Sequence, residues 1–202
     1  WEINFDGMRS FKENVLNEER INNFGMTGCL NFYDMTFSKT KLNANGGGCE
    51  DSINIVKSKG YFTEVLIENS FQDAIDLDFS DLEIENLYVN SANNDCLDVS
   101  GGYYFIKNSS FYKCSDKAIS VGEKSILNSM DIFIDNSLTG LAVKDLSYFS
   151  TNNIKIKNVK SCVEAFQKKQ EFGGGFAKIL NIQCSGKFIK DNQSNIFYKN
   201  VF

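Results

Sequence analysis

The feature that most constrains this chain is a step of 22 residues that recurs without slippage. Asp51-Ser-Ile-Asn-Ile, Asp73-Ala-Ile-Asp-Leu, Asp95-Cys-Leu-Asp-Val, Lys117-Ala-Ile-Ser-Val, Thr139-Gly-Leu-Ala-Val and Ser161-Cys-Val-Glu-Ala each begin 22 residues after the last. Ile53, Ile75, Leu97, Ile119, Leu141 and Val163 share one phase, and Ile55, Leu77, Val99, Val121, Val143 and Ala165 share another two residues on. Apolar and polar residues alternate within each segment, the period-2 signature of a strand with one buried face. Further series keep the same step: Leu82, Tyr104 and Ile126, then Ile132 with Ile154 and Ile134 with Ile156. One unit therefore holds more than one short strand.

A unit of this length, with its strands separated by Asn, Ser, Asp and Gly corners, is too short for a βα repeat but closes one turn of a solenoid. The expected fold is all-β: a right-handed parallel β-helix solenoid with about 22 residues per coil. Equivalent residues then stack about 4.8 Å apart along the axis. The chain contains no Pro, which suits strands whose backbone donors are needed by neighbouring coils. Small residues at the corner before the first strand (Ser52, Ala74, Cys96, Ala118, Gly140, Cys162) fit a tight bend.

The period breaks at both ends. Gly46-Gly-Gly48 marks a bulge or loop before Ile53, and the segment 168–175, with Gly173-Gly-Gly175, is expected to shift Phe188 and Ile189 out of register. A single domain over 1–202 is expected, with 1–27 as an irregular first coil or cap, 28–190 as repeat coils and 191–202 as the C-terminal end. The start at Trp1, without Met or a basic-then-apolar leader, suggests a portion of something longer.

Composition narrows the function. A net charge of −5 and only two Arg, Arg9 and Arg20, argue against a nucleic-acid partner. No apolar run approaches the roughly 20 residues of a membrane span. The chain has no His and its six Cys form no C-x-x-C pair, which disfavours structural zinc and removes the common nucleophile–His systems. Cys162 and Cys184, one period apart, are placed to be neighbours, although packing as buried thiols is the preferred expectation over a disulfide.

The outward positions of the periodic strand read Asn54, Asp76, Asp98, Ser120, Ala142 and Glu164, and the corner positions Asp51, Asp73, Asp95, Lys117, Thr139 and Ser161. Asp78 follows Asp76, with Lys144 at its phase three coils later. Carboxylates converging on adjacent coils raise one another's pKa, share a proton or hold a cation. Three uses remain open. Asp73, Asp76, Asp95 and Asp98 form a candidate Ca²⁺ set. Asp76 and Asp98, assisted by Lys117 or Lys144, form a candidate acid–base pair for glycoside chemistry. Alternatively, corner Asp residues cap backbone N–H groups and outward ones face water. Asp95, Asp116, Glu123 and Lys124 would extend a substrate groove, and Tyr103 and Phe172 are candidates for stacking on sugar rings, whereas Tyr104 shares the core phase of Leu82.

With these coils, strands such as Ala74-Ile-Asp-Leu and the tract Asp116-Lys-Ala-Ile-Ser-Val-Gly122, the sequence resembles the pectin-lyase-like superfamily over roughly residues 28–190. The resemblance implies a polysaccharide or cell-surface glycan as partner and an extracellular or cell-surface location. It covers polysaccharide lyases, hydrolases and epimerases as well as non-catalytic surface modules. Asp76, Asp95 and Asp98 resemble the Asp constellation of polygalacturonase-like hydrolases, but the His and Arg-x-Lys of that family have no counterpart here. A non-catalytic surface or glycan-binding module is therefore the first expectation, and a polysaccharide-active enzyme the alternative.

Overall fold

The computed structural model describes residues 1–7, 21 and 23–200. Among the described residues, fifteen strands, all paired in parallel, wind into a solenoid of about eight turns. Three ladders run along the axis, so each coil has three faces. The first joins Leu30, Ile53, Ile75, Leu97, Ile119, Leu141, Val163 and Phe188. A second joins Leu82, Tyr104, Leu127, Phe149, Ala177 and Ile196. The third joins Ile3, Leu42, Val65, Leu87, Ser109, Ile132, Ile154 and Ile182. Period-2 alternation sends the apolar residues of all three inward to one continuous core, where Ile53, Ile75, Leu97, Ile119, Leu141 and Val163 are fully buried.

One expected register is corrected. Leu127, not Ile126, continues the Leu82–Tyr104 ladder, while Ile126 pairs with Tyr103. The corner before it, with Glu123 (φ 56°) and Lys124 (φ 64°) left-handed, is one residue longer than in the preceding coil: Val121 pairs with Val99, but Leu127 rather than Ile126 pairs with Tyr104, so the strand starts a residue late. Phe188 and Ile189 leave the 22-residue step as expected, lying 25 residues after Val163 and Glu164, yet they still pair with them, with a register irregularity between Ser161 and Val163. The loop around Gly173–Gly175 bulges and the chain rejoins the ladder, because the inward apolar phase outweighs the added loop entropy, which grows slowly with length.

The corners explain the recurrence of Asn, Asp and Gly. Asp34, Lys57, Phe79, Gly101, Glu123 and Asp145 form a ladder of left-handed residues between the first and second faces, and Asn69, Ser91, Lys113, Asn136 and Asn158 another beyond the third. Short polar side chains tolerate that conformation best. Inside the first of these corners, buried hydroxyls accept backbone N–H groups from the previous coil: Ser58 Oγ from Met35 (3.0 Å), Ser80 Oγ from Ser58 (2.9 Å) and Ser147 Oγ from Ser125 (3.2 Å). Where Gly102 follows Ser80 in register, no hydroxyl is available, and the Tyr104 phenol takes over. It accepts from the Ser80 N–H (3.2 Å) and donates to the Leu77 carbonyl (2.9 Å). Tyr104 is thus core, as its phase indicates.

At the ends, Glu2–Gly7 pairs with Lys41–Gly46, and Asn195–Asn200 stacks on Phe176–Gln183. The expected cap over 1–27 falls largely on residues outside those described. The thiol expectation is overturned: all six Cys form disulfides, Cys29–Cys49, Cys96–Cys114 and Cys162–Cys184, with Cα separations of 5.3, 5.5 and 6.1 Å. Spacing suggested only the last pair, because the other two lie 20 and 18 residues apart and close within a coil rather than between equivalent positions. Among the described residues no helix is long and apolar enough to cross a membrane.

Candidate functional site

The first face carries the acidic ladder. Asn54, Asp76, Asp98, Ser120, Ala142 and Glu164 are successive register partners, pointing away from the core because Ile53, Ile55 and their equivalents point into it. Beside them run Asp78, Ser100 and Gly122, with Lys144 on the following coil. The expected vertical stacking of Asp76 on Asp98 is therefore present. The flanking αL corner holds Phe79, whose ring lies over Gly101: a Cβ on Gly101 would come within 2.5 Å of Phe79 Cδ1.

Lys144 crosses two coils to reach Asp98, with Nζ 3.9 Å from Oδ2. Its path exists because Gly122 has no side chain: a Cβ there would stand 3.3 Å from Lys144 Cε. Glycine here supplies room rather than an unusual backbone angle. The lysine is 6% exposed, so Asp98 is the charge partner of a nearly buried ammonium. Two polar atoms beside this pair, Asp98 Oδ1 and Ser120 Oγ, are buried and have no hydrogen-bond partner among the described residues.

Burial dominates the carboxylates' proton affinity. It pushes Asp51 and Asp73 up to about 7, with neighbouring acids adding to the effect. Asp76 is held well above the usual carboxylate range by burial and then by Asp78, Asp51, Asp98 and Asp73. Burial raises Asp78 to about 6 against the opposing hydrogen bond from Asn54 Nδ2 (3.2 Å), and Asp95 to about 6 against the opposing charge of Lys117. The face thus holds protons near neutral pH that isolated carboxylates would release, the condition for acid–base work or for taking up a cation.

The corner acids have a structural use. Asp73 Oδ1 accepts the Asp95 backbone N–H (2.7 Å), and Asp95 Oδ1 accepts that of Lys117 (2.9 Å) and contacts its Nζ (3.4 Å). These caps act on the next coil rather than on the local turn. Lys117, also bonded to Asp116, is committed to this corner and is not paired with Asp98 as Lys144 is. Among the described residues no group of three or more Cys, Asp or Glu side chains is arranged to hold a metal ion. The geometry therefore does not gather Asp73, Asp76, Asp95 and Asp98 into a calcium centre.

Glu123 pairs with Lys169 of the glycine loop, and Lys124 stands over the Phe172 ring at 5.5 Å. Asp145 Oδ1 anchors that loop by accepting the N–H groups of Lys168 (2.7 Å) and Lys169 (2.8 Å). Around the corner, on the second face, Tyr103 lines a shallow groove with Tyr61, Phe105, Asp81, Glu83 and Asn128. Sequence reasoning missed Ser120 as an unsatisfied hydroxyl, Gly122 as the gap for Lys144, and Phe79. The signal for Phe79 was available, since a bulky residue stands where the preceding and following corners have Lys57 and Gly101.

Comparison with protein-family models, with curated proteins and with solved structures finds no match.

Proposed function

We propose that this chain is a glycan-binding module of the right-handed, pectin-lyase-like kind, acting outside the cell or at its surface, with the ligand along the face of Asp76 and Asp98. The observation that carries the reading is Phe79. A bulky residue in a left-handed conformation costs roughly 1 kcal/mol or more, and this ring is 58% exposed, so folding gains little from it. An exposed aromatic ring that directly follows Asp78 on the coil of Asp76 supplies, with those carboxylates, what a sugar needs: a flat apolar surface for its C–H face and acceptors for its hydroxyls. Exposed Tyr103 extends that surface around the corner. Three disulfides support an oxidising location. Screening the protein and its Phe79→Gly and Asp76→Asn/Asp98→Asn variants on a broad glycan array tests the reading. Signal that disappears in the variants supports it, and an array with no signal for the unmodified protein refutes it.

A second reading has its own support in the proton-holding Asp76 carboxyl stacked on Asp98, with Lys144 alongside. That set is suited to a polysaccharide lyase, hydrolase or epimerase working by acid–base chemistry. Release of reducing ends or unsaturated products from any array-positive glycan, abolished by Asp76→Asn, supports it, and intact glycan after prolonged incubation rejects it.

A further inference from the structure

The charge balance of the Asp76–Asp98 face narrows the class of glycan. Asp76, Asp78 and Asp98 stand on adjacent coils, and the lysine that reaches them directly is Lys144, at Asp98 Oδ2. Lys117 is turned to the corner by Asp95 and Asp116, Lys169 is paired with Glu123, and Lys57 donates to the Tyr33 hydroxyl at 3.1 Å. Three carboxylates thus face one lysine, and the proton that burial and neighbouring acids keep on Asp76 is the one an incoming cation would displace.

An independent feature points to a ligand at this place. Ser120 is fully buried, its Oγ has no partner among the described residues, and it projects from the same outward phase as Asp98, its register neighbour. Asp98 Oδ1 is likewise without a partner, while the Asp98 side chain keeps 24% of its surface open as an entry. A carboxylate can only accept, so the missing partner of Asp98 is a donor, and Ser120 can supply or receive a further hydrogen bond. Groups of this kind left unpaired and buried are unfavourable.

We infer that this face binds an amine-bearing glycan, one whose sugar units carry free ammonium groups, with an ammonium donating to Asp98 and Asp76 and a sugar ring lying on Phe79. The inference rests on the glycan-binding reading and deepens it. A polyuronate brings a carboxylate on each unit to a face already rich in them and is repelled. A neutral or N-acetylated glycan supplies hydroxyl donors but no cation to displace the proton held at Asp76. An ammonium supplies donors and charge together, and the exposed Phe79 ring favours a cation attached to a flat sugar over a bare polyamine.

Titration calorimetry at pH 6 and low salt tests this with four probes: a β-1,4-linked glucosamine hexamer, its fully N-acetylated counterpart, a galacturonate hexamer and hexalysine. The glucosamine hexamer is expected to bind at least tenfold more tightly than the N-acetylated one and hexalysine, with no heat from galacturonate. Asp98→Asn is expected to weaken it at least tenfold, and Asp76→Asn and Ser120→Ala provide the same readout should Asp98→Asn fail to give the folded circular dichroism spectrum. Equal or tighter binding of the N-acetylated hexamer or of galacturonate overturns the inference while leaving the glycan-binding reading standing. Equal binding of hexalysine, or variants that bind as the unmodified protein does, also overturns it. Silence from all three sugars here and from the glycan array overturns both.

Discussion

Asp51 offers the sharpest test of the electrostatics. Its carboxyl is 2% exposed and is pushed from 3.8 up to about 7, mainly by burial, with the Thr27 hydroxyl bonded to it opposing that shift. A carboxyl whose folded value lies above its unfolded one binds more protons in the folded state between those two values. Its stability contribution is therefore present at low pH and is lost as pH rises toward 7. At about 1.4 kcal/mol per pH unit, Asp51 alone removes about 2–3 kcal/mol between pH 5 and pH 8. The assay is urea denaturation of the disulfide-intact protein at both values, alongside Asp51→Asn, which keeps an acceptor for Thr27 but cannot ionise. The unmodified protein is expected to be less stable at pH 8, and the variant's loss should be smaller by about 2–3 kcal/mol. Identical pH dependence in the two proteins, or stability that rises toward pH 8, refutes the reasoning.

Phe79→Gly relieves the left-handed strain and is expected to leave stability unchanged or raise it by about 1 kcal/mol in urea melts, while glycan-array signal falls. Gly122→Leu fills the channel used by Lys144 and separates it from Asp98. A loss of about 2 kcal/mol is expected from stranding that ammonium, and it should largely vanish in a Lys144→Met background, as a double-mutant cycle measures. Tyr104→Phe leaves the Ser80 N–H and the Leu77 carbonyl without their shared partner, so a loss of about 1–3 kcal/mol is expected, with faster amide exchange at Ser80. Normal stability in that variant would mean that water replaces the phenol.

Within the fold, the parts legible in sequence were those that repeat. Ile53 to Val163 announced a ladder because equivalent side chains in successive coils meet the same core wall, so selection for burial is written at every step. Asp76 and Asp98 were readable as neighbours for the same reason. The register at Ile126 was not, because the corner around Glu123–Lys124 takes up one more residue than the corner before it, and a constant sequence step does not show where a coil lengthens. Cys29–Cys49 and Cys96–Cys114 escaped for a related reason: they join different faces of a coil, and only the angle of the corner brings them together.

The sequence by itself determined the period, the inward and outward phases of the strands, and hence which residues stack; these follow from local alternation and a constant step. Tertiary structure alone decided which stacked groups are charged partners and which are left over. Lys144 reaches Asp98 because Gly122 leaves a path, and Lys117, closer in sequence, is held at a corner by Asp95. Ser120 becomes a buried hydroxyl without a partner because of what surrounds it, not because of its spacing. Side-chain reach, burial and the resulting proton affinities depend on the packing around each group, which a linear repeat does not encode.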